Sequence, residues 1–168
     1  VKLSTLVEQF NSFWPQSVTE DWDKPGLMLG SRDQNISKVL LAVDLTSEIL
    51  DEAVAVGAEL VLTHHPMFLR GVHSLAADSA KGHCVAKATL ANIAVYAAHT
   101  NADFVPGGVS DALGLSLGLT KTSALRTNPE QGFIGKLERP LSLFDFGRLA
   151  AKVLPPVAQG VMVAGDKD

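Results

Sequence analysis

Side chains of the kind that bind metal ions follow two apolar segments of the chain. His64 and His65 come directly after one apolar run. His99 and Asp103 come directly after the next apolar run along the chain. Imidazole and carboxylate are the usual ligands of zinc, iron, manganese and related divalent ions. The sequence therefore predicts a divalent-metal site to which two different segments contribute.

The adjacent histidines suit a pair of neighbouring metal ions. Adjacent residues of a strand point to opposite faces, but both imidazoles can face one crevice where the chain turns at Pro66. A carboxylate can bridge such a pair of ions, and Asp103 is the natural candidate. Two ions roughly 3.5–4 Å apart clamp and activate a bridging water for hydrolysis.

Other histidines and acids have simpler explanations. A lone histidine is usually a surface residue or a satisfied core residue, and His73 and His83 are assigned to this class. Asp44 is assigned to the N-cap of a helix, and Cys84 to a small buried position. The two histidine-containing clusters at two strand ends favour a metal site over chance.

The elements that must hold the site follow an α/β pattern. Residues 39–43 predict a strand that is buried on both faces, and residues 59–63 and 93–98 predict two further strands. A helix predicted between the first two makes a βαβ unit, so those two strands should be parallel. Sites in open α/β sheets form outside the carboxyl ends of the strands. The site residues should therefore meet at one edge of the sheet.

The pattern changes in the last third of the chain. Residues 133–137 and 161–163 predict strands, and residues 141–153 predict a helix. The sequence thus predicts a metal-site α/β lobe over residues 1–124. The start of a second subdomain is predicted over residues 125–168.

Composition and charge narrow the choice of partners. The chain has 168 residues, of which 46% are hydrophobic and 19% charged, and its net charge is −4. No basic run occurs, so a nucleic-acid partner is not expected. No apolar run reaches the length of a membrane span, so no membrane partner is expected. A single cysteine cannot form an intrachain disulfide, which favours a cytoplasmic location.

Five motifs occur in an order and spacing that resemble one protein family. They are Trp-Asp-Lys-Pro-Gly-Leu at 22–27, Val-Asp-Leu-Thr at 43–46, Leu-Thr-His-His-Pro-Met-Phe at 62–68, Ala-His-Thr-Asn-Ala-Asp at 98–103 and Pro-Gly-Gly-Val-Ser-Asp-Ala-Leu at 106–113. Over about residues 5–166 the chain resembles the NIF-three-like family, often labelled GTP cyclohydrolase 1 type 2 homologue. Lys24 and Pro25 depart from the Asn-Val that is usual in the first motif.

The resemblance implies a NIF-three-like fold, in which a βαβ-based mixed sheet has helices on both faces. It also implies a dinuclear metal site and ring-shaped homo-oligomers, commonly hexamers. By position, His64, His65 and Asp103 match metal ligands, and His99 matches a histidine of the same pocket that is assigned either to supporting the ligands from behind or to proton transfer. The family also uses a later histidine and glutamate that this sequence lacks, so we expect the second lobe to be incomplete and the natural chain to be longer.

More than one function is consistent with these residues. The first is a metal-dependent hydrolase of a small molecule or nucleotide, in which two divalent ions activate water and His99 moves a proton. The second is a non-catalytic metal-binding or regulatory protein that works through protein partners. The third is a structural domain in which the histidines are incidental. The sequence leaves open which metal is bound, whether zinc, iron or manganese, and which substrate is used.

Overall fold

The computed structural model of the protein describes residues 1–127 and 130–166. The chain forms two compact units, Val1–Val105 and Pro106–Asp168. None of the helices that the structure describes is long and apolar enough to cross a membrane.

The first unit is built around a four-stranded mixed sheet. In chain order its elements are α1 (Leu3–Phe13), a 3-10 turn (Gln16–Val18), β1 (Gly26–Leu29), β2 (Val39–Ala42), α2 (Ser47–Val56), β3 (Leu60–Thr63), α3 (Ala80–Leu90), β4 (Ala94–Ala97) and α4 (Thr100–Phe104). The strand order is β1-β4-β3-β2. Strands β2, β3 and β4 run parallel, and β1 is antiparallel to β4. The predicted α/β class, mixed sheet and βαβ connection are confirmed.

Helices cover both faces of this sheet. Leu3 of α1 lies in one apolar cluster with Leu60 of β3. Leu50 of α2 and Ala88 of α3 lie in a second cluster with Val61 of β3. Adjacent residues of β3 therefore enter opposite layers, as the alternation of side chains along a strand requires. Each leucine that is buried in this way contributes about 1.5–3 kcal/mol relative to an exposed position.

Strand β2 occupies an edge of the sheet. Its burial alternates, so Leu40 and Ala42 are half-buried while Val39 and Leu41 are exposed. The prediction that this run is buried on both faces is wrong. The cause is its position, because β2 has one neighbour among the described strands and the apolar cluster under α1 contains no β2 residue.

The described residues of the second unit form short strands and two helices. Its elements are α5 (Val109–Ser116), β5 (Leu119–Ser123), β6 (Arg126–Thr127), β7 (Glu130–Gln131), β8 (Ile134–Leu137) and α6 (Leu143–Val153). Strand β5 pairs antiparallel with β8, and β6 pairs antiparallel with β7. A Cβ atom on Gly114 would lie 2.6 Å from the Phe133 ring, so glycine permits this ring to pack on α5.

The second unit differs from the sequence prediction at both of its ends. The compact unit begins at Pro106, whereas the second subdomain was predicted from residue 125. The pairing of β5 with β8 explains the earlier start, because it joins residues on either side of residue 125. The predicted strand at Val161–Val163 is wrong, since these residues form no strand and pair with no strand in the described parts of the chain.

Candidate metal centre

The carboxyl ends of β3 and β4 bring the predicted site residues together. The two strands are parallel and in register, so the chain leaves both at the same edge of the sheet. One ring nitrogen from each of His64, His65 and His99 lies within 4.8 Å of the others. We call these three residues the histidine cluster. The Nε2 atom of His64 lies 3.7 Å from the Oδ1 atom of Asp103.

The short helix α4, which the sequence analysis did not predict, returns Asp103 to the histidines. The backbone N–H of Asp103 donates to the carbonyl oxygen of His99 at 3.2 Å. Asn101 is fully buried and fixes the start of this helix. Its Oδ1 accepts from the backbone N–H of His99 at 2.9 Å, and its Nδ2 donates to the carbonyl oxygen of Trp14 at 2.8 Å. The spacing of four residues between His99 and Asp103 thus places both side chains at one edge of the sheet.

The two adjacent histidines each donate a hydrogen bond from Nδ1. The Nδ1 of His64 lies 3.0 Å from the carbonyl oxygen of Ala98. The Nδ1 of His65 lies 2.8 Å from Oδ1 of Asp44. A carbonyl or a carboxylate oxygen accepts and does not donate, so the proton of each neutral ring belongs on Nδ1. The Nε2 atom of each ring therefore keeps its lone pair.

His99 is held by a buried carboxylate in the same way. Asp23 is 1% exposed, and its Oδ2 accepts from His99 Nδ1 at 2.9 Å and from Thr100 Oγ1 at 2.7 Å. Its Oδ1 accepts from the backbone N–H of Lys24 at 2.9 Å. Burial raises the pKa of Asp23, but the hydrogen bonds from Thr100 and His99 outweigh it, and the pKa is lowered. Trp22 lies edge-on to the His99 ring, with 6.0 Å between the ring centroids.

The donor set fits a divalent metal ion. Metal-binding histidines characteristically donate the second ring N–H to a carbonyl or carboxylate oxygen, which orients the ring and raises its basicity. All three rings of the histidine cluster have such a partner. The side chain of His65 is 49% exposed and that of His64 is 28% exposed, so an ion has access from solvent.

Two acidic residues have roles that the sequence analysis missed. Asp44 was predicted to cap α2, but Thr46 does so, because its Oγ1 accepts from the backbone N–H of Ile49 at 3.3 Å. Asp44 instead orients His65. Asp23 was not predicted at all, although it lies in the Trp-Asp motif at 22–27. The Trp-Asp motif was the signal that could have pointed to Asp23, but the sequence alone assigned no function to it.

The remaining histidines and the cysteine lie outside the histidine cluster. His73 is exposed in the loop before α3, and His83 lies on α3 with its Nε2 3.4 Å from Ser47 Oγ. Cys84 lies on α3, and its free, buried thiol belongs to the apolar cluster between α3 and the sheet. These placements agree with the structural roles that were predicted for all three.

The fold and the site together define an α/β protein with a histidine-rich group that could hold a metal ion. The model of one protein family, Duf34/NIF3 (NGG1p interacting factor 3), matches residues 1–168. The chain belongs to the Duf34/NIF3 family.

Similar proteins support this assignment. A GTP cyclohydrolase 1 type 2 homolog from Streptomyces coelicolor is 40% identical over 174 residues, which cover 99% of this chain and 61% of the relative. A solved Bacillus cereus protein related to NIF3 is 36% identical with a TM-score of 0.71, over 75% of this chain and 35% of that chain. Reduced HcgD from Methanocaldococcus jannaschii is 25% identical with a TM-score of 0.80, over 90% and 60% of the two chains. The chain thus spans less than two thirds of each of these proteins.

Proposed function

We propose that this chain carries the metal-binding part of a metal-dependent hydrolase that acts on a small molecule or nucleotide. The observation that supports this most is the histidine cluster, in which every Nδ1 is bound to an oxygen and every Nε2 keeps its lone pair. The name of the Streptomyces relative, which refers to a GTP cyclohydrolase, is consistent with a nucleotide substrate.

The proposed ligands of two divalent ions are His64, His65 and Asp103. Imidazole and carboxylate ligands suit zinc, iron or manganese. When bound, such ions supply Lewis acidity and a water of lowered pKa. Asp103 is the proposed bridging carboxylate because it lies beside His64 and has no competing lysine or arginine partner among the ion pairs of the described residues.

His99 is proposed to move a proton. Its Nδ1 is committed to Asp23, so its Nε2 lone pair is the one available to accept a proton from a water or a substrate. His99 lies 5.3 Å from His64 and 5.8 Å from His65, measured between ring centroids. At these distances it can serve a molecule that contacts both proposed ligands.

Metal analysis tests the site. The protein purified without chelators should contain divalent metal when measured by plasma mass spectrometry, and His65→Ala should lower the metal content per chain. His83→Ala is the matched control, because it removes an imidazole outside the histidine cluster. An unchanged metal content in His65→Ala contradicts the ligand role.

Turnover separates the two leading functions. The metal-loaded protein should hydrolyse at least one member of a panel of nucleotides and phosphoesters, and His99→Gln should slow that reaction while retaining metal. Bound metal with no turnover on the panel favours a non-catalytic metal-binding or regulatory protein instead.

We also propose that the protein forms a homo-oligomer. The resemblance to the family implies a hexamer. Apolar side chains that remain exposed, such as Leu41 at 71% and Met162 at 85%, support contacts with further protein. Light scattering coupled to size exclusion should give a multiple of 17.8 kDa. A monomer mass at micromolar concentration contradicts the proposal.

A further inference from the structure

A cavity of about 880 Å³ lies beside the candidate metal centre within the first unit. Its wall is formed by the start of α2, the segment that follows β3, and the start of α3. His65 and Asp44 belong to this wall and also to the metal centre. Ligand pockets in proteins usually occupy roughly 300–1,000 Å³. An organic molecule in this cavity can therefore reach the proposed metal ligands.

Much of the cavity wall is apolar and contains sulfur. Leu45, Pro66 and Ala80 line it together with Met67 and Cys84. Met67 is 5% exposed and Cys84 is 9% exposed, so both are fixed parts of the wall. Sulfur atoms make favourable contacts with the edges of aromatic rings. This wall suits a planar ring.

The charged side chains of the wall are mostly acidic. Asp44, Glu48 and Asp78 line the cavity, against one lysine, Lys81. The ammonium group of Lys81 donates to the carbonyl oxygen of Met67, so it is committed to the protein wall. An anionic ligand would therefore meet three carboxylates and no uncommitted lysine.

The start of α2 does not provide a phosphate site either. Helix N-termini attract anions through their unpaired N–H groups and the helix dipole. Here Thr46 accepts from the backbone N–H of Ile49, and Glu48 lies in the first turn. A hydrogen bond from its own backbone N–H and one from Thr46 lower the pKa of Glu48. The Glu48 carboxylate thus already occupies the positive end of the α2 dipole, where a phosphate would have to bind.

We propose that this cavity binds an aminated heterocycle, a nucleobase-like ring that is neutral or cationic, and that it excludes a triphosphate group. The apolar and sulfur-containing wall packs against the ring, while Glu48 and Asp78 accept hydrogen bonds from its amino groups. The ring is thereby directed towards His65. That this ligand is a substrate rests on the proposed hydrolase function, whereas the binding itself does not.

Guanosine and GTP are the probes, since they share a base and differ in charge. The titrations use protein stripped of metal with EDTA, because GTP chelates divalent ions. Guanosine should bind roughly tenfold or more tightly than GTP, because like charges brought together weaken association. Amide shifts in NMR spectra should change at residues that line the cavity. GTP binding as tight as that of guanosine overturns the proposal, and so does the absence of saturable guanosine binding at millimolar concentration.

Variants connect the preference to the cavity. Ala80→Trp fills the space at the exposed start of α3 and should abolish guanosine binding without changing the melting temperature. The double variant E48Q/D78N should narrow the preference for guanosine over GTP. The matched control D33N/E52Q removes the same charge at exposed positions outside the cavity and should leave the preference unchanged. Equal effects of both double variants, or guanosine binding by Ala80→Trp, overturn the proposal.

Metal analysis of the same preparations separates this inference from the proposed function. If the protein takes up metal but binds no guanosine, the cavity proposal is wrong and the proposed metal centre stands. If the protein binds guanosine in the cavity but takes up no metal, the proposed metal centre is wrong and the cavity proposal stands.

Discussion

The two compact units of this chain differ in how fully they bury their apolar side chains. In the first unit Leu50, Leu60 and Tyr96 are all 0% exposed. Among the described residues of the second unit, Ala150 is the apolar side chain that counts as buried, whereas Leu115 is 64% exposed. Precise sites need side chains that packing holds in place. The candidate metal centre accordingly lies on the unit with the tightly packed sheet.

Leu50→Ala should lower the free energy of unfolding most, because it removes a side chain from the tightly packed unit. Removing a fully buried leucine from a core costs about 2–5 kcal/mol, because the transfer free energy is lost and a cavity is left. Leu115→Ala at an exposed position of α5 should cost about 0.5 kcal/mol or less. Urea denaturation measures both losses. Similar losses for the two variants would erase the difference between the units.

Asp44→Ala should weaken metal binding by about 10–100-fold, because loss of the carboxylate that accepts from His65 Nδ1 lets this proposed ligand rotate and lowers its basicity. Competition with a chromophoric chelator measures the affinity. Asp33→Ala, at an exposed position remote from the histidine cluster, is the control and should bind metal normally. Unchanged affinity in Asp44→Ala would show that the carboxylate beside His65 does not support the site.

Removal of one helix cap in each unit should have similar and smaller effects. Thr46 caps α2 in the first unit, and Ser142 caps α6 in the second by accepting from the backbone N–H of Asp145 at 3.1 Å. Thr46→Ala and Ser142→Ala should each cost about 1 kcal/mol, because each leaves a helix N–H without its acceptor. Hydrogen exchange should show the loss first in the affected helix. The two caps have the same chemistry. A much larger loss of stability in one unit would therefore mean that burial of the cap adds to its effect.

The smallest expected effect is a change in acid stability. Glu59 accepts from Ser37 Oγ at 2.7 Å and from the backbone N–H of Lys38 at 2.8 Å, and these hydrogen bonds lower its pKa from 4.5 to about 2. The folded-state pKa lies below the unfolded value, so this contribution is present above about pH 4.5 and is lost as the pH falls towards about 2. Glu59→Gln should therefore lose less stability than the wild type as the pH falls over this range.

The control for this prediction is Glu52→Gln, an exposed substitution on α2. Its stability should follow the wild-type profile when the melting temperature is measured from pH 7 to pH 2. A Glu59→Gln profile that coincides with the wild type would mean that the hydrogen bonds at Ser37 and Lys38 do not hold in solution.

The sequence was sufficient to predict elements whose local pattern reflects their final surroundings. The run at residues 59–63 and the run at residues 93–98 became β3 and β4, which are central strands covered on both faces. The run at residues 39–43 consists entirely of apolar residues, yet β2 lies at an edge. Strand order depends on contacts between distant segments, and no local pattern of apolar residues encodes it.

The site was predictable to the same degree. The meeting of His64 with Asp103 follows from the carboxyl ends of two neighbouring parallel strands. The orienting carboxylates were not foreseen because they reach the histidines across long separations, 76 residues for Asp23 and 21 for Asp44. Asp44 also lies two residues before the true cap, where the preference of aspartate for helix starts gives the wrong answer.

The edge position of β2 has a consequence for the protein at high concentration. Leu41 is 71% exposed and Val43 is 60% exposed, beside backbone groups that have no neighbouring strand in the described parts of the chain. Such an edge is a template for strand addition and for amyloid-like aggregation. Lys38 and Asp44 flank this run with one charge each, and gatekeeper residues of this kind slow self-assembly. On heating or long storage, fibrous deposits should therefore nucleate from residues 39–43.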